Sequence, residues 1–262
     1  MRQIEPFPEE SGTRAVADRM VAARHAFECG DYRTALEIWG PLAHAGVSQA
    51  QAYVGTCFVE GWGVEQDFAL AVRWLTVAAD AGDPDAQRNL ASLYFRGDGV
   101  KEDFRRAANL YRRAAEAGDG PAQDMLSWML LEGEVVVHDY AEARKWALGA
   151  AEQNVASSMT RLGMIYHNAL GVERDATLAA YWWRRGAERG DADGQAMLGA
   201  AYYLGAGVER DPCRALVWLS RAEAGGSKFA ERFLAATRSI LTETEIAGAE
   251  QEARLPLAEP SS

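Results

Sequence analysis

Residues 83–118 read DPDAQRNLASLYFRGDGVKEDFRRAANLYRRAAEAG, and they align without a gap to residues 191–226, DADGQAMLGAAYYLGAGVERDPCRALVWLSRAEAGG. The same 36-residue unit occurs five times without insertion or deletion, over 47–82, 83–118, 119–154, 155–190 and 191–226. A fixed period of this length marks stacked supersecondary units. Each unit buries its apolar seam only against a neighbour, so the array is quasi-one-dimensional.

Each unit encodes two helices. Position 4 is small (Ala50, Ala86, Ala122, Ser158, Gly194), and position 8 is apolar (Val54, Leu90, Leu126, Leu162, Leu198). Position 12 is aromatic or Leu (Phe58, Tyr94, Leu130, Tyr166, Tyr202), so positions 4, 8 and 12 trace one face of an α-helix. Position 9 is Gly, Ala or Ser, which lets a neighbouring helix come close. A Gly-x-Gly-Val loop follows in three units; glycine suits the exit from a helix, and the valine is expected to plug the turn into the core. Position 21 is Asp in all five units (Asp67, Asp103, Asp139, Asp175, Asp211), a helix N-cap. The second helix carries Ala at 25, Trp or Leu at 28 and Ala or Gly at 32, which predicts a tryptophan-centred seam, and Gly or Asn closes the unit.

These features resemble the Sel1-like repeat, a relative of the tetratricopeptide repeat: Ala-x-x-x-Leu-Gly-x-x-Tyr, Gly-x-Gly-Val, the fixed Asp, then Ala-x-x-Trp-x-x-x-Ala-Ala-x-x-Gly. The resemblance implies an all-α, right-handed α-solenoid of stacked antiparallel helix pairs. It also implies an adaptor for protein or peptide partners in bacterial-type signalling or regulation. Some cysteine-rich members staple their repeats with disulfides; Cys29, Cys57 and Cys213 are scattered and odd in number, so that variant is not expected here. Two units depart from the pattern. Unit three replaces the second loop glycine with Val135, and unit four has Ala169 for the first and opens on Val155. The organisation expected is a disordered tail over 1–12, a capping pair over 13–46, the five repeats, capping helices over 227–254 and a disordered tail over 255–262. Thr242 to Glu245 matches a capping box and opens the last helix, which Pro256 follows.

The formal net charge is −11. The first twelve residues hold a net −2 and the last twenty-one a net −4, so −5 remains on residues 13–241. That balance argues against a nucleic-acid surface, which needs clustered Lys and Arg. No apolar run approaches membrane-spanning length. The opening residues lack a basic segment followed by an apolar one, so no secretory signal is expected. With the unpaired cysteines this favours the cytoplasm, and the polar terminal helices favour a monomer.

In related folds the first helix of each pair lines the concave side. Positions 6, 7, 10, 13 and 14 form its non-core face, and they supply Tyr53, Arg88, Phe95, Arg96, Trp128, Arg161, His167 and Tyr203. Aromatics and arginines are the types enriched at binding hot spots, and the basic members point to a peptide with carboxylates. The bland reading stands beside this: an aromatic at helical spacing ordinarily packs on the next repeat, and an arginine ordinarily pairs with a neighbouring acid.

Catalytic patterns are missing. The Gly-x-Gly pieces lack a third glycine and a preceding strand, so no dinucleotide cofactor is implied. The four histidines (25, 44, 138, 167) are far apart, which leaves no zinc spacing. No Gly-x-Ser-x-Gly or Ser-x-x-Lys occurs, which weakens a link to the β-lactam chemistry reported for some family members. Cys213, at a helix start beside Asp211, is best read as an inert thiol. The chain is therefore expected to be non-enzymatic, with a hydrolase or a structural spacer as the alternatives.

Overall fold

The computed structural model describes residues 8–133 and 136–257, and among them every regular element is helical. The chain forms two compact units, Met1–Asp119 and Gly120–Ser262. The first holds α1 (Pro8–Glu28), α2 (Tyr32–His44), α3 (Ser48–Glu60), α4 (Phe68–Asp80), α5 (Pro84–Arg96) and α6 (Phe104–Glu116). The second holds α7 (Gly120–Glu132), α8 (Tyr140–Glu152), α9 (Ala156–His167), α10 (Ala176–Glu188), α11 (Ala192–Leu204) and α12 (Pro212–Ala224), then α13 (Glu231–Arg238) and α14 (Glu243–Ala253). Consecutive helices pack as pairs in both units. First helices also touch one another, α3 with α5 in the first unit and α7, α9, α11 and α13 in succession in the second.

The caps work as the sequence expects. Each position-21 aspartate accepts a hydrogen bond from the amide three residues on, at 2.8–3.0 Å. Asp31 does the same for α2, and Thr242 with Glu245 forms a reciprocal capping box. The terminal boundaries differ from expectation. Helix α1 begins at Pro8, so residues 8–12 are helical rather than tail, while 1–7 lie outside the described residues. At the other end 255–257 are described without regular structure, and 258–262 lie outside the described residues.

The tryptophan seam holds only in part. Positions 25 and 29 are inside in every unit, whereas position 28 is buried only at Leu110 and Trp146; at position 25, Ala71, Ala107, Ala143, Ala179 and Ala215 are all fully buried. At position 29, Leu75, Tyr111, Ala147, Trp183 and Leu219 are buried too. Trp74, Trp182 and Trp218 at position 28 are only half-buried. There the outer ring face is free to take a cation: Arg185 lies 5.2 Å from the Trp182 ring and Arg221 5.2 Å from that of Trp218.

A buried polar position went unread. Gln51, Gln87 and Gln195 each donate through Nε2 to a carbonyl eight residues upstream, those of Ala43, Ala79 and Ala187. The acceptors lie at or near the ends of the preceding second helices, where carbonyls lack intrahelical partners.

The second loop glycine sits against the preceding pair. A Cβ on Gly207 (φ +75°) would fall 1.9 Å from the Ala176 carbonyl oxygen, and one on Gly99 would fall 2.6 Å from the Phe68 backbone. At the first loop position Ala169 is held at φ +57°, a conformation that costs an L-residue about 1–2 kcal/mol. Gly207→Ala should therefore lower the unfolding free energy by about 3 kcal/mol, from overpacking and left-handed strain together. Ala169→Gly should raise it by about 1 kcal/mol. Urea unfolding curves check both shifts.

Candidate partner-binding cleft

The first unit carries a cleft of about 310 Å³ where α3 and α5 lie side by side. Its α3 wall is Ala52, Tyr53 and Thr56, and its α5 wall is Asp85, Arg88 and Asn89. Phe27 of α1 and Trp62 of the loop after α3 complete it. The aromatic side is braced from behind. The Tyr53 ring stacks on buried Trp39 with centroids 4.5 Å apart, and Arg24 donates to its hydroxyl at 3.3 Å. Trp62 stacks on Tyr32 and meets Phe27 edge-on at 5.1 Å. Rings held this way present apolar area without a further cost in rotamer entropy.

The polar side is a hydrogen-bonded chain. Asn89 Nδ2 donates to Thr56 Oγ1 at 2.8 Å, and Thr56 Oγ1 donates to the Ala52 carbonyl at 2.9 Å. The Asn89 carbonyl oxygen and the half-exposed Asp85 carboxylate supply acceptors. Arg88 pairs with Asp85 at 2.8 Å and with Asp119, whose side chain is 7% exposed.

Tyr53 and Arg88 are thus the two candidates that share this cleft. The others are placed as follows. In the first unit, Phe95 is half-buried and meets Phe104 edge-on at 5.2 Å, and exposed Arg96 donates to Asp98 and Ser92, each at 2.6 Å. In the second unit Trp128 is half-buried on α7. Arg161 of α9 donates to Asp124 of α7 at 3.1 Å, and both side chains are about 15% exposed or less. Tyr203 lies edge-on to Phe233.

All three candidate arginines therefore already face aspartates, and the positive face the sequence suggested is neutralised from within. The signal was there to find. Asp85 stands three residues before Arg88, and Asp124 and Arg161 fall at positions 6 and 7 of adjacent repeats. Phe27 and Trp62 were missed for a different reason: one belongs to the atypical capping pair, the other to a loop.

His167 packs its ring against Trp183, with centroids 5.2 Å apart. Its Nδ1 is buried without a hydrogen-bond partner. Burial, and then the charge of Arg174, holds its pKa below 6.5. Cys213 is half-buried, and desolvation followed by Glu245 and Asp211 raises its thiol pKa, the opposite of nucleophile activation. Cys29 Sγ lies 3.9 Å from His25 Nδ1 on the exposed end of α1. Among the described residues no group of three or more His, Cys, Asp or Glu is placed to hold a metal ion, and no helix is long and apolar enough to cross a membrane.

The chain belongs to the Sel1 repeat family: the family model matches residues 48–83, 84–119, 120–155, 156–191 and 192–227. That frame is offset by one residue from the units read off the sequence. A Sel1 repeat protein from Oxalobacter formigenes is 31% identical, with 90% of this chain and 98% of that one covered and a TM-score of 0.76. The second relative is c5321, a protective antigen present in uropathogenic Escherichia coli strains and displaying an SLR fold. It is 32% identical with a TM-score of 0.76, and the match covers 94% of this chain and 55% of that one. No curated protein matches at comparable stringency. The fold is thus the α-solenoid of this family, whose members are generally scaffolds for protein partners.

Because the folded His167 ring favours its neutral form, its contribution to stability is present above pH 6.5 and falls away as the pH drops through its lowered pKa. An NMR titration should place the His167 midpoint below 6.5, and His167→Gln should flatten the acid-side decline in unfolding free energy.

Proposed function

We propose that this chain is a non-enzymatic scaffold that holds a protein or peptide segment on its first-helix face, with the cleft of the first unit as the principal contact. The observation that carries this reading is the cleft itself. Braced aromatic rings stand opposite a side-chain amide and a carboxylate, the pairing that anchors one apolar side chain and orients the backbone around it. Phe95, Arg96, Trp128, Arg161, His167 and Tyr203 serve as further contacts along the first helices of their own units. An acidic partner has to compete with Asp85 for Arg88, so the cleft favours an apolar or aromatic anchor over a carboxylate.

The hydrolase alternative draws no support from the thiol chemistry, because the environment of Cys213 suppresses the thiolate. The family resemblance, with bacterial relatives of this fold, supports a role in bacterial signalling or regulation. The scattered free cysteines support a reducing cytoplasm.

A random peptide library selected on the whole protein tests the site. Asn89→Trp fills the cleft from a half-exposed position and should weaken the selected peptides at least tenfold, about 1.4 kcal/mol, while the helical circular dichroism is unchanged. Peptides that bind wild type and Asn89→Trp equally would place the partner elsewhere.

A further inference from the structure

The second unit has a cleft of a different character, about 420 Å³, formed by the second helices α10 and α12 together with α11 and α14. Two arginines from different repeats converge there on one phenol. Arg184 Nη2 of α10 donates to the Tyr202 hydroxyl oxygen at 3.1 Å, and Arg214 Nη1 of α12 does so at 3.5 Å. The Arg214 guanidinium also lies 5.8 Å from the Tyr202 ring centroid. A phenol oxygen has two lone pairs and one hydrogen. With both lone pairs facing guanidinium donors, the hydroxyl hydrogen is left to donate outward. Arginine offers five donors and no acceptor, so the cluster consists of donors whose shared unmet need is an acceptor.

The nearby acids do not meet that need for Arg184. Asp211 pairs with Arg214 at 3.4 Å, but among the described residues no carboxylate lies within ion-pairing distance of Arg184. Glu188 and Glu252 line the cleft without pairing to any of its arginines. A third guanidinium, that of Arg221, is pinned rather than free. It donates to the carbonyls of Ala253, Glu252 and Leu255 and so closes the C-terminal end of α14, with its centre 5.2 Å from the Trp218 ring centroid.

The repeat register separates what the fold needs from what is additional. The Tyr202–Arg214 pair has a counterpart at the same repeat positions three repeats earlier, where Arg106 lies 4.4 Å over the Tyr94 ring. Arg184 has no such precedent: the residue at its position in the repeat preceding Tyr94 is Thr76. Arg184 is exposed.

We propose that this cleft binds an oxyanion group of a partner molecule, a carboxylate or a phosphate, through Arg184, Arg214 and the Tyr202 hydroxyl. The group accepts from the two guanidiniums and from the phenol and completes the donor cluster. Glu188 and Glu252 limit the total negative charge the cleft tolerates. This site is independent of the cleft in the first unit, so Asn89→Trp leaves it intact.

The test is an NMR titration of the full chain at fixed ionic strength with inorganic phosphate and, separately, with acetate, read at the Arg184 and Arg214 Nε–H and Trp218 indole signals. At least one anion should saturate these signals with a dissociation constant of about 10 mM or tighter. Arg184→Gln should weaken it at least tenfold, Tyr202→Phe should weaken it with the ring packing retained, and Glu188→Gln should tighten it. Saturation by acetate alone assigns a carboxylate, and tighter saturation by phosphate assigns a phosphate. Failure of both anions to saturate, or equal affinity in Arg184→Gln, overturns the proposal.

Discussion

One steric fit recurs in units one, four and five: a glycine at position 9 of the first helix receives the side chain at position 29 of the second. A Cβ on Gly163 would lie 2.3 Å from the Trp183 indole, and a Cβ on Gly55 or Gly199 would lie 2.7 Å from Leu75 or Leu219. At such distances even one methyl group is too much, because close-packed interiors have no slack. The fit sets how near the helices come. The second loop glycine lies against the preceding pair in the same close-packed way. Unit three keeps the volume balanced the other way, with Ser127 at position 9 and Ala147 at 29, both buried, while unit two accommodates the Ala91 methyl with Tyr111 at 29.

The architecture was legible because its determinants are local and recur: the caps and the small residue at position 9 in all five units, and the paired loop glycines in three. The location of the seam was harder to read. Tryptophan at position 28 is conspicuous, whereas position 29 varies through Leu, Tyr, Ala and Trp and so hides its role from pattern matching. Only contact with position 9 makes that variation intelligible, since the pair and not the single residue is constrained. The buried glutamines escaped for a related reason. Their acceptors are helix-end carbonyls eight residues upstream, which a side-chain pattern does not display.

The candidate site was half legible. Helical spacing identified the face, and Tyr53 and Arg88 do line one cleft. Charge was misread, because a face made of adjacent repeats juxtaposes position 6 of one unit with position 7 of the next. Asp124 and Arg161 pair by that rule, and neither is near the other in sequence. Both clefts owe their character to residues that the repeat does not dictate. Trp62 and Phe27 furnish the first, and Arg184 changes a recurring tyrosine–arginine contact into a donor cluster in the second.

The fit between positions 9 and 29 is tested most directly by a double-mutant cycle on unfolding free energy. Gly163→Ala should cost about 1–3 kcal/mol by overpacking, and Trp183→Ala about 3–5 kcal/mol by opening a cavity. If the two residues occupy one shared volume, the double variant should lose at least about 1 kcal/mol less than the sum of the singles. Additivity to within about 0.3 kcal/mol would show that the small residue does not set the helix spacing, and would contradict the account.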